Sequence, residues 1–87
     1  MLKIQRIANG DILLGVIGDL RADNLDVLSS LLTDEPADRV IALDLKSLIQ
    51  VDDEAVRFLL KCEVQGIALR NCPAYVRIWI SSLQPPP

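Results

Sequence analysis

The sequence predicts an α/β fold in which a mixed β-sheet, in the order β-β-α-β-α-β-α, carries its helices mainly on one face. Three observations predict it. Apolar and polar residues alternate at the start, continuous apolar runs recur at 12–17 and 40–45, and leucines at helical spacing fill the stretch between the two runs. A chain of 87 residues can bury one real core but not two, so we expect a single domain over 1–83 followed by a disordered Pro-rich tail at 84–87.

Leu2-Lys3-Ile4-Gln5 alternates with period two, and Arg6-Ile7 extends it, as expected of a strand with one buried face. Asn9-Gly10, with Asp11 behind it, is a preferred pair for a two-residue turn with positive φ at both positions, which predicts a hairpin into a second strand, Ile12 to Ile17. That strand is apolar on both faces, the pattern of a central strand covered by helices, and its Gly15 marks a bulge or a close backbone approach. Asp23-Asn24 supplies capping oxygens for a first helix reaching Leu32, with Leu25, Leu28, Leu31 and Leu32 as its stripe; Pro36 bars its continuation.

Arg39 to Leu45 reads as a third strand whose unbroken apolar run fits a parallel position. Ser47 to Asp52 is expected to be the loop that leads into a second helix, Asp53 to Gln65, with Ala55, Phe58, Leu59 and Cys62 inward and Gly66 as its stop. Ile67 to Leu69 gives a short fourth strand. Asn71-Cys72-Pro73 turns the chain into a third helix, Ala74 to Leu83, whose inner stripe is Val76, Trp79, Ile80 and Leu83.

Composition excludes several functions. The net charge of -3 and the lack of any Lys/Arg cluster give no electrostatic reason to approach a nucleic-acid backbone. No apolar run approaches the length of a membrane span, and the start leads directly into alternating sequence without a leader, so the expected location is cytoplasmic with no membrane partner. The chain has no histidine, which removes His-based acid/base chemistry, Ser-His and Cys-His nucleophile pairs and the commonest metal ligand. Cys62 and Cys72 read as small buried hydrophobes. We therefore expect no enzyme and no cofactor.

Attention falls on Asp52-Asp53-Glu54 at the start of the second helix. Helix physics alone accounts for these residue types, since Asp52 can cap free backbone N–H groups and acids in the first turn are favoured by the helix dipole. A second reading comes from resemblance. Gly18-Asp19-Leu20-Arg21-Ala22 after a strand, then Val40-Ile41-Ala42-Leu43-Asp44-Leu45, then Val51-Asp52-Asp53-Glu54-Ala55-Val56-Arg57-Phe58-Leu59, resembles the STAS domain (sulfate transporter and anti-sigma factor antagonist) over nearly the whole chain.

In that family an Asp-Ser-Ser-Gly-Leu type motif opens the second helix, and a partner kinase phosphorylates its second serine. The resemblance places Asp52 at the motif's aspartate, Asp53 at the first serine, Glu54 at the phosphorylated serine, Ala55 at the glycine and Val56 at the leucine. It implies a divergent, minimal, anti-sigma factor antagonist-like interaction module in which a fixed charge at Glu54 replaces the phosphosite. The partner would be a kinase-type anti-sigma factor or related regulator, and the partner-binding residues Ser47, Gln50, Asp52, Asp53, Glu54 and Arg57. An alternative is a small-ligand or Mg²⁺ site built on Asp44, Asp52 and Asp53 near a strand end. A homo-oligomer contact through the third helix at Tyr75 and Ile78 is also open.

Overall fold

The computed structural model describes residues 1–36 and 38–83, so the tail expected at 84–87 lies outside the described residues. The alternating start forms β1 (Leu2–Asn9), which turns tightly into β2 (Asp11–Leu20). The two pair antiparallel from Leu2 with Gly18 to Asn9 with Asp11. The turn is tighter than the sequence suggested. Gly10 alone takes a positive φ, 83°, while Asn9 stays in the ladder.

After β2 a short 3-10 turn, Ala22–Asn24, leads into α1 (Leu25–Asp34). Asn24 does not cap α1 with its side chain; instead its Oδ1 accepts the Arg21 N–H at 2.8 Å and its Nδ2 donates to the Asp19 carbonyl at 3.0 Å, fixing the exit from β2. Then follow β3 (Ile41–Asp44), β4 (Leu48–Val51), α2 (Asp53–Val64), β5 (Ala68–Arg70) and α3 (Ala74–Leu83). The result is a mixed α/β fold, with the order β1-β2-β3-β5 across the sheet and β4 pairing β2 beyond the end of β3.

β4, a strand beyond the four expected, corrects the loop expected over Ser47 to Asp52. It pairs in parallel with the upper end of β2, Gly18 with Leu48, Asp19 with Gln50 and Leu20 with Val51. The register shifts between Gly18 and Asp19, so Ile49 has no partner of its own on β2. An extra residue in a strand of four destroys the period-two signal, and for this reason the stretch read as a loop. β2 accordingly runs past Ile17 to Leu20.

The close backbone approach also sits at Gly18 rather than at Gly15. Gly18 has a φ of 98°, and a Cβ there would collide with the Met1 carbonyl. Gly15 pairs regularly with Gln5 on one side and Asp44 on the other.

Burial shows which face the helices cover. Along β2, Ile12, Leu14, Val16 and Leu20 are buried and join one core cluster with Leu28 of α1, Ala55, Val56, Leu59 and Cys62 of α2, and Val76 and Ile80 of α3. The intervening Leu13, Gly15 and Ile17 are only partly covered. All three helices thus contribute to the core on one face, and the expectation that β2 is covered on both faces is corrected. Among the described residues no helix is long and apolar enough to cross a membrane.

Candidate functional site

Asp52 caps α2 as its residue type and position predict. Its Oδ1 accepts the Ala55 N–H at 2.9 Å, satisfying one of the free donors of the first turn. Its second oxygen does something the sequence did not reveal. Oδ2 accepts the Ala22 N–H at 2.9 Å, so one carboxylate joins the start of α2 to the turn that follows β2. These two N–H donors hold the Asp52 carboxyl below the usual carboxylate range, with Arg21 adding a smaller electrostatic effect.

Beside this link, the Arg21 guanidinium donates to Gln50 Oε1 at 2.7 Å and lies 3.9 Å from Asp19. The Tyr75 hydroxyl, from the first turn of α3, donates to the Ile49 carbonyl at 3.4 Å. Arg21, Ile49 to Asp52 and Tyr75 line a shallow concavity of about 410 Å³ at this end of the sheet. Beside its polar Arg21, Gln50 and Asp52, the concavity and the neighbouring face of α3 expose large apolar side chains. Ile49 is 70% exposed, and Ile78, one turn beyond Tyr75 on α3, is equally exposed.

The acids that open α2 differ in state. Asp53 accepts from Arg57 Nε at 2.8 Å, an i,i+4 pair on the surface of the helix. Glu54 is exposed and, among the described residues, is the one of the three held by neither a backbone N–H nor an ion pair. Gln50, Asp52, Asp53, Glu54 and Arg57 therefore lie in sequence along β4 and the first turns of α2. Ser47 departs from them. It sits in the turn between Leu45 and Leu48, its carbonyl accepts the Gly18 N–H at 3.1 Å, and it lines a hollow on the open sheet face with Gln5 and Asp44.

Asp44, at the end of β3, is engaged elsewhere. Its Oδ1 accepts the Lys46 N–H at 3.0 Å and the Asn71 amide at 3.1 Å, with the Lys46 ammonium 3.9 Å from Oδ2. Burial pushes the Asp44 carboxyl up, but these hydrogen bonds and the neighbouring cations more than offset it and hold it below its ordinary value. Asp44, Asp52 and Asp53 thus each serve a different local structure. Among the described residues no three His, Cys, Asp or Glu side chains converge in a manner fit to hold a metal.

The cysteines are both free. Burial pushes the Cys62 thiol up to about 11, and it raises Cys72 as well, which leaves neither as an activated nucleophile. Residue-type reasoning missed Arg21 and Ile49 as site residues and offered Tyr75 only as a self-association contact. The signal that would have found Arg21 is its position at the end of a strand read as central, where the following helix starts converge. No family model matches the sequence, and no curated protein matches it.

Proposed function

We propose that this chain is a non-enzymatic, STAS-like protein-interaction module that meets a regulatory protein through β4 and the start of α2. The observation that carries the reading is the juxtaposition of two unlike surfaces: the exposed apolar Ile49 and Tyr75 continue directly into a rigidly capped helix start bearing the unpaired Glu54. Apolar anchors beside a charge are what an interface uses for affinity and for orientation respectively. The partner that fits offers an apolar contact and a basic residue next to it.

The order of the motifs along the chain supports the STAS reading, and the resemblance makes the partner a kinase-type anti-sigma factor or related regulator in the cytoplasm, with neither nucleic acid nor membrane involved. Glu54 stands where that family carries its phosphorylated serine. A carboxylate holds about one negative charge against roughly 1.5 to 2 for a phosphoserine, so Glu54 supplies a permanent, weaker version of the modified state. The module is then one whose switch is fixed rather than operated.

Co-purification from its own cells tests this. The wild-type chain should recover a protein partner that both Glu54→Lys and Ile49→Asp release, each variant remaining folded by circular dichroism. Failure to recover any protein, or recovery indifferent to both substitutions, overturns the reading. With a partner kinase in hand, Glu54→Ser should gain a phosphate by mass spectrometry.

A further inference from the structure

We infer that the open face of the sheet, remote in kind from the β4–α2 surface, is the contact between two copies of this chain packed sheet to sheet. The face carries an apolar band of Ile7, Leu13 and Ala42, bordered by Gln5 and Asp44 at the level of Gly15, without a helix to cover it. Ile7 of β1 is 51% exposed, and its direct cross-strand partner Leu13 on β2 is only partly covered, so the two side chains form a ridge. Small residues lie on either side of that ridge. Gly15 opens a hollow of about 110 Å³ toward one end of the strands, and Ala42 lies in a second of about 250 Å³; Ile7 and Leu13 border both. A ridge flanked by hollows matches its own surface.

The register states which twofold arrangement this is. Strand neighbours place Ile7 level with Leu13, Gln5 with Gly15, Lys3 with Ile17 and Asn9 with Asp11. A twofold axis lying in the interface, across the strands and midway between the levels of Leu13 and Gly15, exchanges those two levels. It seats the Ile7–Leu13 ridge of each copy over the Gly15 hollow of the other. The same axis brings Asp11 of one copy to the level of Ile17 in its partner, where Lys3 stands on one neighbouring strand. Lys46 stands on the other side, since Ser47 meets Gly18 through a backbone hydrogen bond. Lys3 thus stands beside each Asp11, Lys46 being drawn also toward Asp44, 3.9 Å away in its own chain, and the pairing is reciprocal.

The alternative axis, along β2, would set Lys3 of each copy against Lys46 of the other. Charge selects the first arrangement over it. Aligned sheets pack about 10 Å apart with strand directions within about 30°, so the levels coincide best at the centre, and the long lysine side chains span the divergence at the rim. The edge of β1 carries the cations Lys3 and Arg6. Its Arg6 is committed to Glu35 through a two-pronged ion pair, and cations along an edge strand oppose edge-to-edge pairing.

Sedimentation equilibrium from micromolar to millimolar concentration, with methyl NMR over the same range, tests the inference. The expected result is a mass that rises toward twice 9.6 kDa while the methyl signals of Ile7, Leu13 and Ile17 shift and those of Ile49 and Ile78 stay fixed. Ile7→Lys and Gly15→Lys each place a charge in the contact and should weaken dimerisation by about tenfold or more. Asp11→Lys should weaken it also, and adding Lys3→Asp should restore it in part. A monomer throughout overturns the inference and leaves the face to another partner. A dimer whose shifts fall on Ile49 and Ile78, or one indifferent to both lysine substitutions, overturns it too.

Discussion

The two faces of β2 are built from nearly the same residue types and end in opposite environments. Ile12, Leu14 and Val16 are closed off beneath the three helices, whereas Leu13 and Ile17, their immediate neighbours, stay partly open to solvent. The hydrophobicity of a strand therefore does not decide how many of its faces are covered; the placement of the crossovers does. All three helices lie over the same side, so apolar residues on the other side are left over from folding and available for association.

That contrast is broken most strongly by shortening one leucine from each face. Leu14→Ala should cost about 2–5 kcal/mol in urea unfolding, because it leaves a cavity in a packed core. Leu13→Ala should cost less, about 1–2 kcal/mol in dilute solution, since its side chain keeps part of its surface in solvent and leaves no enclosed cavity. Equal losses at the two positions would mean that the open face is covered within one chain.

The glycines of β2 give a smaller version of the same test. Gly18→Ala forces a side chain into a positive-φ position against the Met1 carbonyl and should destabilise by about 1–3 kcal/mol. Gly15→Ala has ordinary contact distance to Gln5 and should be neutral or stabilising by up to about 1 kcal/mol through the unfolded chain.

Asp52 provides a modest effect and a pH dependence. Asp52→Ala should cost about 0.5–2 kcal/mol as the cap is lost. Its folded carboxyl titrates below the unfolded one, so its contribution is full above the ordinary carboxylate range and disappears as pH falls through the depressed folded value. Asp44 and Glu35, the latter held down chiefly by its hydrogen bonds from Arg6, act in the same direction. The urea midpoint should decline on acidification, and less steeply in Asp52→Asn; an unchanged slope in that variant would deny Asp52 its part.

Much of this architecture was legible because it is local. Alternation revealed β1, the apolar run revealed β3, and helical spacing with a capping aspartate revealed α2 within a residue of its start. What stayed hidden depends on register between distant segments. β4 was concealed by the bulge that leaves Ile49 unpaired, and Asn24 was misread because its amide is used by Asp19 and Arg21 rather than by the helix it precedes. Within the site, Asp52 and Glu54 announced themselves through helix-start chemistry, whereas Arg21 and Gln50 are 29 residues apart in sequence and meet only through the β2–β4 ladder. Ser47 could not be assigned to a face until the turn that holds it was known.

One further consequence follows from β2 lying against β1, β3 and β4 at once. Its backbone amides point alternately to β1 and to β3 or β4, and a paired strand closes each side, so their hydrogen exchange should be the slowest in the sheet. β5, bonded only to β3, and the outer edge of β1 can fray on their own. The slowest-exchanging amides should accordingly trace one stripe through the middle of the molecule, and both candidate surfaces hang from that stripe, at its side and at its end.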